Sequence, residues 1–168
     1  MISVSEAIVK MIYDCGGSQH DICHFMKVWA YARTIGELEG LDARTQQTLE
    51  FSAIVHDIAC PDLRKEYGNA PWNLQETYGP PLVRNFFKDS GMDEEMLSRI
   101  CYLVGHHHTT ADVKGMDYQI LLEADFLVNA GEQEKYLKNA ADFREKVFKT
   151  KTGIGLLEKM FLTGEQDR

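Results

Sequence analysis

Residues 51–60 read FSAIVHDIAC, a run in which His56 and Asp57 stand side by side among apolar and small residues. An ionised carboxylate buried there without a partner would cost several kcal/mol, roughly the penalty for an unpaired charge in a protein interior. Two readings meet that demand. In one, the imidazole and the carboxylate are satisfied by each other or by backbone; in the other, a metal ion neutralises the pair. The run is apolar on every side, as expected of a helix surrounded by others in the middle of a bundle. Asp42 supplies its N-cap and Pro61 is expected to end it, which places His56 and Asp57 near a helix C-terminus, where the partial negative charge favours a cation.

The flanking sequence reads as further helices joined by loops. Ser3 and Glu6 form a capping-box pattern for a first helix reaching Cys15, where Gly16 and Gly17 stop it. A second helix is expected from about Ser18 to Gly40, with Ile22, Phe25, Trp29, Ala32 and Gly36 on its core face and His24 at the edge of that face. Pro61 to Asn73 reads as a loop, in which Arg64 and Lys65 are either solvated charges or groups that grip an anion. Tyr78, Gly79, Pro80 and Pro81 are expected to introduce a helix running through Ser90, and Asp93 to cap the next. In that helix Met96, Ile100 and Leu103 make a stripe continued by His107, the middle of three consecutive histidines, His106 to His108.

Asp117 is expected to cap a helix reading YQILLEADFLVNAG, in which Asp125 repeats the difficulty posed by Asp57: a carboxylate embedded in apolar sequence. Glu123 lies about 160° round that helix from Asp125. Beyond Gly131 the pattern of Tyr136, Leu137, Ala140, Ala141, Phe143, Val147 and Phe148 predicts one long packing helix, and the Lys149 to Phe161 stretch is read as a connection and short helix or as a phosphate-touching lid. It matches neither a Walker loop nor a dinucleotide fingerprint. No segment shows sustained period-two alternation, so the fold class is all-α, a compact helical bundle without substantial sheet.

With 168 residues and 44% hydrophobic content, one domain over 1–168 is expected, its core about 18–129 and its packing helices 132–168. The four cysteines are scattered with no CxxC pair, and a formal charge of −8 argues against general nucleic-acid or anionic-membrane binding. No apolar run reaches the roughly 18 to 20 residues of a membrane span, and a cytoplasmic protein is expected.

His24, His56, Asp57, His106 or His107, and Asp125 thus lie on core-facing helical surfaces of four helices, the way bundle-core metal sites are built. The ordered set resembles the HD-domain metal-dependent phosphohydrolases. That resemblance implies an early His (His24), an adjacent His-Asp (His56, Asp57) and a late Asp (Asp125) as ligands of a divalent ion, with His106 and His107 as an added pair and His108 ranked behind them. One ion is implied and a second is left open, because Gln75 and Glu76 stand where a further His is found in members with more metal. Imidazole and carboxylate donors suit manganese, iron, cobalt, nickel, zinc or magnesium. The chain lacks the Gly-Tyr-Pro signature of the cyclic-dinucleotide branch.

The expected function is hydrolysis of a phosphate ester in a nucleotide or similar small molecule. Asp57, Glu76 and His107 are the catalytic candidates, and Lys27, Arg64 and Lys65 the candidates for steadying phosphate oxygens. The expected partner is a small phosphorylated substrate, and a homodimer is compatible with the sequence. A metal- and nucleotide-binding sensor without turnover is the competing reading.

Overall fold

The structure is a computed structural model that describes residues 1–163. Among these every regular element is helical, and no helix is long and apolar enough to cross a membrane. The early caps fall where the side-chain chemistry puts them. Ser3 and Glu6 make both halves of the capping box for α1 (Val4–Asp14), Ser18 accepts from the Asp21 amide at the start of α2 (Gln19–Leu38), and Asp42 accepts from Arg44 and Thr45 at the start of α3 (Ala43–Val55).

The centre of the bundle is α3. Every residue from Thr48 to Val55 is buried, and the helix touches α1, α2, α6 and α7, so the expectation of a surrounded helix holds. Its two sides face two apolar clusters. One gathers Val28, Ile35, Leu49, Leu121 and Phe126 from α2, α3 and α7 (Met116–Glu132); the other gathers Phe25, Phe51, Ile54, Phe87 and Ile100 from α2, α3, α5 (Trp72–Phe87) and α6 (Glu94–Val104). The polar groups carried inside are satisfied: Glu50 accepts from the Trp29 indole at 2.9 Å and from Gln46 at 3.1 Å.

Several boundaries differ from the sequence expectations. α3 stops at Val55, with His56 as its C-cap, and Pro61 begins a helix instead of ending one. α4 (Cys60–Tyr67) occupies most of the expected loop, because a proline in the first helical turn forfeits only an amide that has no intrahelical partner. α5 starts at Trp72 and passes through Pro80 and Pro81, which give up the amide bonds to the Glu76 and Thr77 carbonyls. Gly79 lets this helix lie close to α6, since a Cβ there would meet Val104 Cγ1 at 2.7 Å.

Gly115, at φ 96°, is the N-cap of α7, and Asp117 sits inside its first turn, held by Arg99 at 2.6 Å, so the expected Asp117 cap is replaced by an ion pair. The expected long C-terminal helix is two short ones, α8 (Glu134–Lys138) and α9 (Ala140–Lys146). An extended Gln133 separates α8 from α7, and Asn139, whose side chain donates to the Lys135 carbonyl, separates α8 from α9. α10 (Lys151–Leu157) and a π-helical turn over Glu158–Leu162 complete the described chain, with α10 packed on α7.

Candidate metal centre

Three helix ends and one helix face supply the site. His24 comes from the second turn of α2, His56 and Asp57 from the turn that leaves α3, His107 and His108 from the turn that leaves α6, and Asp125 from the middle of α7. His24, His56, His107 and Asp125 are buried; the Asp57 side chain is 31% exposed, on the floor of an open cavity of about 510 Å³. The notion that adjacent residues at a helix end can lean toward one point holds, since His56 Nε2 lies 3.6 Å from Asp57 Oδ2.

The hydrogen bonds fix what each ring presents. Nδ1 of His56 lies 2.9 Å from the Ala53 carbonyl, Nδ1 of His107 lies 2.7 Å from the Val104 carbonyl, and Nδ1 of His24 lies 2.9 Å from Glu132 Oε2. Each partner only accepts, so Nδ1 carries the hydrogen in all three rings and the neutral tautomer leaves a lone pair on Nε2. Those lone pairs converge. His24 Nε2 is 3.3 Å from His56 Nε2, 3.3 Å from Asp125 Oδ1 and 3.5 Å from Asp57 Oδ2, while His56 Nε2 is 3.4 Å from Asp125 Oδ1. Ligand atoms about 2.0 to 2.2 Å from one ion stand roughly 3.0 to 3.5 Å from each other, so these separations suit a shared cation.

Asp57 faces two ways. Its Oδ2 belongs with His24 and His56, whereas its Oδ1 is 3.3 Å from His107 Nε2, a buried nitrogen with no hydrogen-bond partner. Asp57, His107 and His108 bring three donor atoms within 4.8 Å of one another, as do His24, His56 and Asp57. Two neighbouring groups thus share one carboxylate. An orphaned buried lone pair, facing carboxylate oxygen without hydrogen-bond geometry, is the observation that best fits a cation here.

The electrostatics express the same demand. Burial works against the charged form of Asp57, but the imidazoles of His56, His107 and His24 outweigh it and hold the carboxyl well below its ordinary range; Asp125 is lowered likewise by His24 and His56. Burial also opposes charging of His24, yet Asp125, Asp57 and Glu132 push its pKa up to about 9, and His107 is raised by Asp57. His108 goes the other way: burial and the neighbouring His107 bring it down to about 4, so it is a neutral imidazole near pH 7.

Other sequence candidates lie elsewhere. His106 is turned from the cluster, its Nδ1 2.7 Å from the Tyr102 carbonyl and its ring stacked on Tyr102, so His108 and not His106 stands with His107. Tyr118 staples this turn by donating to the carbonyls of His106 and Thr109. Glu76 does not line the cavity. Its carboxylate accepts from the His108 amide and the Thr109 hydroxyl, both at 3.0 Å, and so braces the turn where a ligand or base was expected. Its neighbour Gln75 does line the cavity, with Oε1 2.9 Å from His108 Nε2.

Arg64 lines the mouth, its guanidinium 2.5 Å from Asp21, but Lys65 is exposed outside it, and Lys27 is paired with Glu132 at 3.0 Å. Trp72, Lys135 and Tyr136 complete the rim. Sequence reasoning missed Asn129, whose side-chain amide donates to Asp125 Oδ1 at 2.9 Å, and Glu132. Both follow Asp125 at helical spacing, four and seven residues on, and that periodicity is the signal for them.

Against known proteins, the family model described as HD domain matches residues 21–148. The match runs past the expected core of about 18–129 and takes in α8 and α9. No curated protein and no solved structure matches the chain.

Proposed function

Because the chain belongs to the HD-domain family, we propose that it is a metal-dependent phosphohydrolase acting on a phosphate ester of a nucleotide or similar small molecule. The observation that carries this reading is the convergence of the His24 and His56 Nε2 lone pairs on two carboxylates at the floor of an open cavity. His24, His56 and Asp57, joined by Asp125 beside both imidazoles, would hold one divalent ion, and Asp57, His107 and His108 a second beside it. Bound there, such an ion supplies a Lewis acid for a phosphoryl oxygen and lowers the pKa of water toward neutrality.

The remaining work falls to the chain. Asp57 ties the two donor groups together through its two oxygens. Arg64, steadied by Asp21, presents charge to non-reacting phosphate oxygens from one side of the mouth, and Lys135 from another. Trp72, more than half exposed on the rim, offers a flat apolar face to the leaving group, which suits a base or another ring.

Phosphate release from a panel of nucleotides and sugar phosphates by manganese-loaded protein tests the proposal. Release that disappears in His56→Ala and Asp57→Ala supports it. Tight binding of a panel compound without any release would support the sensor reading instead, and no metal uptake at all would overturn both.

A further inference from the structure

The α7 segment that carries Asp125 also carries Asn129 and Glu132, and positions 125, 129 and 132 share one helical face directed at His24. Glu132 does not join the converging atoms. Its Oε2 lies 2.9 Å from His24 Nδ1, on the opposite edge of the ring from the Nε2 that meets Asp57 and Asp125, and its Oε1 lies 3.0 Å from the Lys27 ammonium. The carboxylate side chain is 16% exposed and the lysine 53%, so the pair runs from solvent inward to the ring. We propose that Glu132, held in place by Lys27, is the positioning residue of the metal centre: it accepts the His24 Nδ1 hydrogen and so presents the Nε2 lone pair to the ion. The inference rests on the metal-centre reading above.

The chemistry singles out His24 for such a device. His56 and His107 donate Nδ1 to carbonyls three residues back in their own turns, an orientation fixed by local backbone. His24 makes no comparable carbonyl bond within α2, and its ring partner comes from a residue 108 positions away. A carboxylate acceptor also makes the imidazole a stronger donor than a carbonyl does. This gives Lys27 a different task from gripping phosphate: it cancels the charge that Glu132 would otherwise bring to a cavity already holding Asp21, Asp57 and Asp125.

The test is manganese titration, followed by electron paramagnetic resonance, of the wild-type chain and of Glu132→Ala, Glu132→Gln and Lys27→Met, with circular dichroism of each metal-free protein alongside. Glu132→Ala is expected to weaken binding by about 10- to 100-fold, the usual effect of removing a partner of a metal-bound histidine. Glu132→Gln keeps an acceptor for Nδ1 and is expected to stay within about threefold of wild type, whereas Lys27→Met, which frees the carboxylate to swing away, is expected to weaken binding by about three- to tenfold. Equal affinity in wild type and Glu132→Ala would overturn the proposal while leaving the metal centre standing, as would a Glu132→Gln variant as weak as Glu132→Ala. Failure of the wild-type chain to bind manganese would instead remove the reading beneath it. If Lys27 served the phosphate, Lys27→Met would leave manganese affinity at the wild-type value and raise only the KM for substrate, which would overturn its part in the device.

Discussion

The Nε2 atoms of His24 and His56 face each other at 3.3 Å while both Nδ1 atoms are committed as donors, to Glu132 and to the Ala53 carbonyl. Two facing lone pairs repel unless a proton or a metal ion stands between them, and Asp125 and Asp57 beside them make the position more negative still. A ligand that binds only the folded chain stabilises it by about 4 kcal/mol at a thousandfold excess over its dissociation constant, which for a chain of this size raises the melting temperature by roughly 8 to 16 °C. Manganese or another suitable divalent ion is therefore expected to raise Tm by about that amount, and chelation to reverse it. Asp57→Ala is expected to abolish the shift while leaving the helical circular dichroism intact; a full shift in that variant would remove Asp57 from the site.

The same geometry sets a pH dependence. His24, raised to about 9, is charged at neutral pH when no ion is bound, and the proton on Nε2 occupies the lone pair that a metal would use. Lowering the pH favours the protonated His24 ring, so apparent metal affinity falls as pH falls and rises until pH passes the His24 value. One displaced proton corresponds to about tenfold per pH unit. Calorimetry in buffers of differing ionisation heat is expected to find about one proton released per ion near pH 7. Binding that neither releases protons nor varies between pH 6 and 8 would contradict the arrangement.

The parts of this centre that were legible in the sequence are those where a charge sits in an apolar run. His56 with Asp57 in FSAIVHDIAC, and Asp125 between Ala124 and Phe126, stand out because burial of such groups demands a partner. The resemblance names His106 as the companion of His107, but α6 ends at Val104 and residues 105–108 follow the geometry of a turn, which brings His108 beside His107 and leaves His106 on Tyr102. Glu132 and Asn129 look like ordinary polar residues near a helix end; Asn129 takes its role from Asp125 one turn before it, and Glu132 takes its own from His24, far away in the chain. The helix at Cys60–Tyr67 was hidden by Pro61 and Asp62, which serve equally well as loop residues or as a helix's first turn.

Glu123 offers a contrast with Asp125 two residues away. It is fully buried, yet it accepts from the amides of Lys149 and Thr150, from the Thr150 hydroxyl and from Gln119, so its charge is spent on anchoring the start of α10. Truncating it leaves these donors buried without an acceptor, at about 1 to 3 kcal/mol or more. Glu123→Ala is expected to lower stability in urea by that amount and leave manganese affinity of the folded protein within about twofold of wild type. Metal affinity lost in step with stability would show that Glu123 and the centre are coupled.

His106 and His108 flank His107 but differ in surroundings, so they separate cleanly in experiment. His106 is bound to the Tyr102 carbonyl and stacked on its ring, whereas His108, held by Gln75, stands with Asp57 and His107 at the cavity wall. His108→Ala is expected to weaken or remove binding at the Asp57–His107 group, by about 10-fold or more, and to leave the His24–His56 group occupied. His106→Ala removes a stacked ring and one hydrogen bond, so it is expected to cost about 1 to 2 kcal/mol of stability with metal stoichiometry unchanged. Metal content by elemental analysis, paired with thermal unfolding of the two variants, distinguishes these outcomes. The reverse pattern, with ions lost from His106→Ala and retained in His108→Ala, would place the second group of donors on the other side of His107.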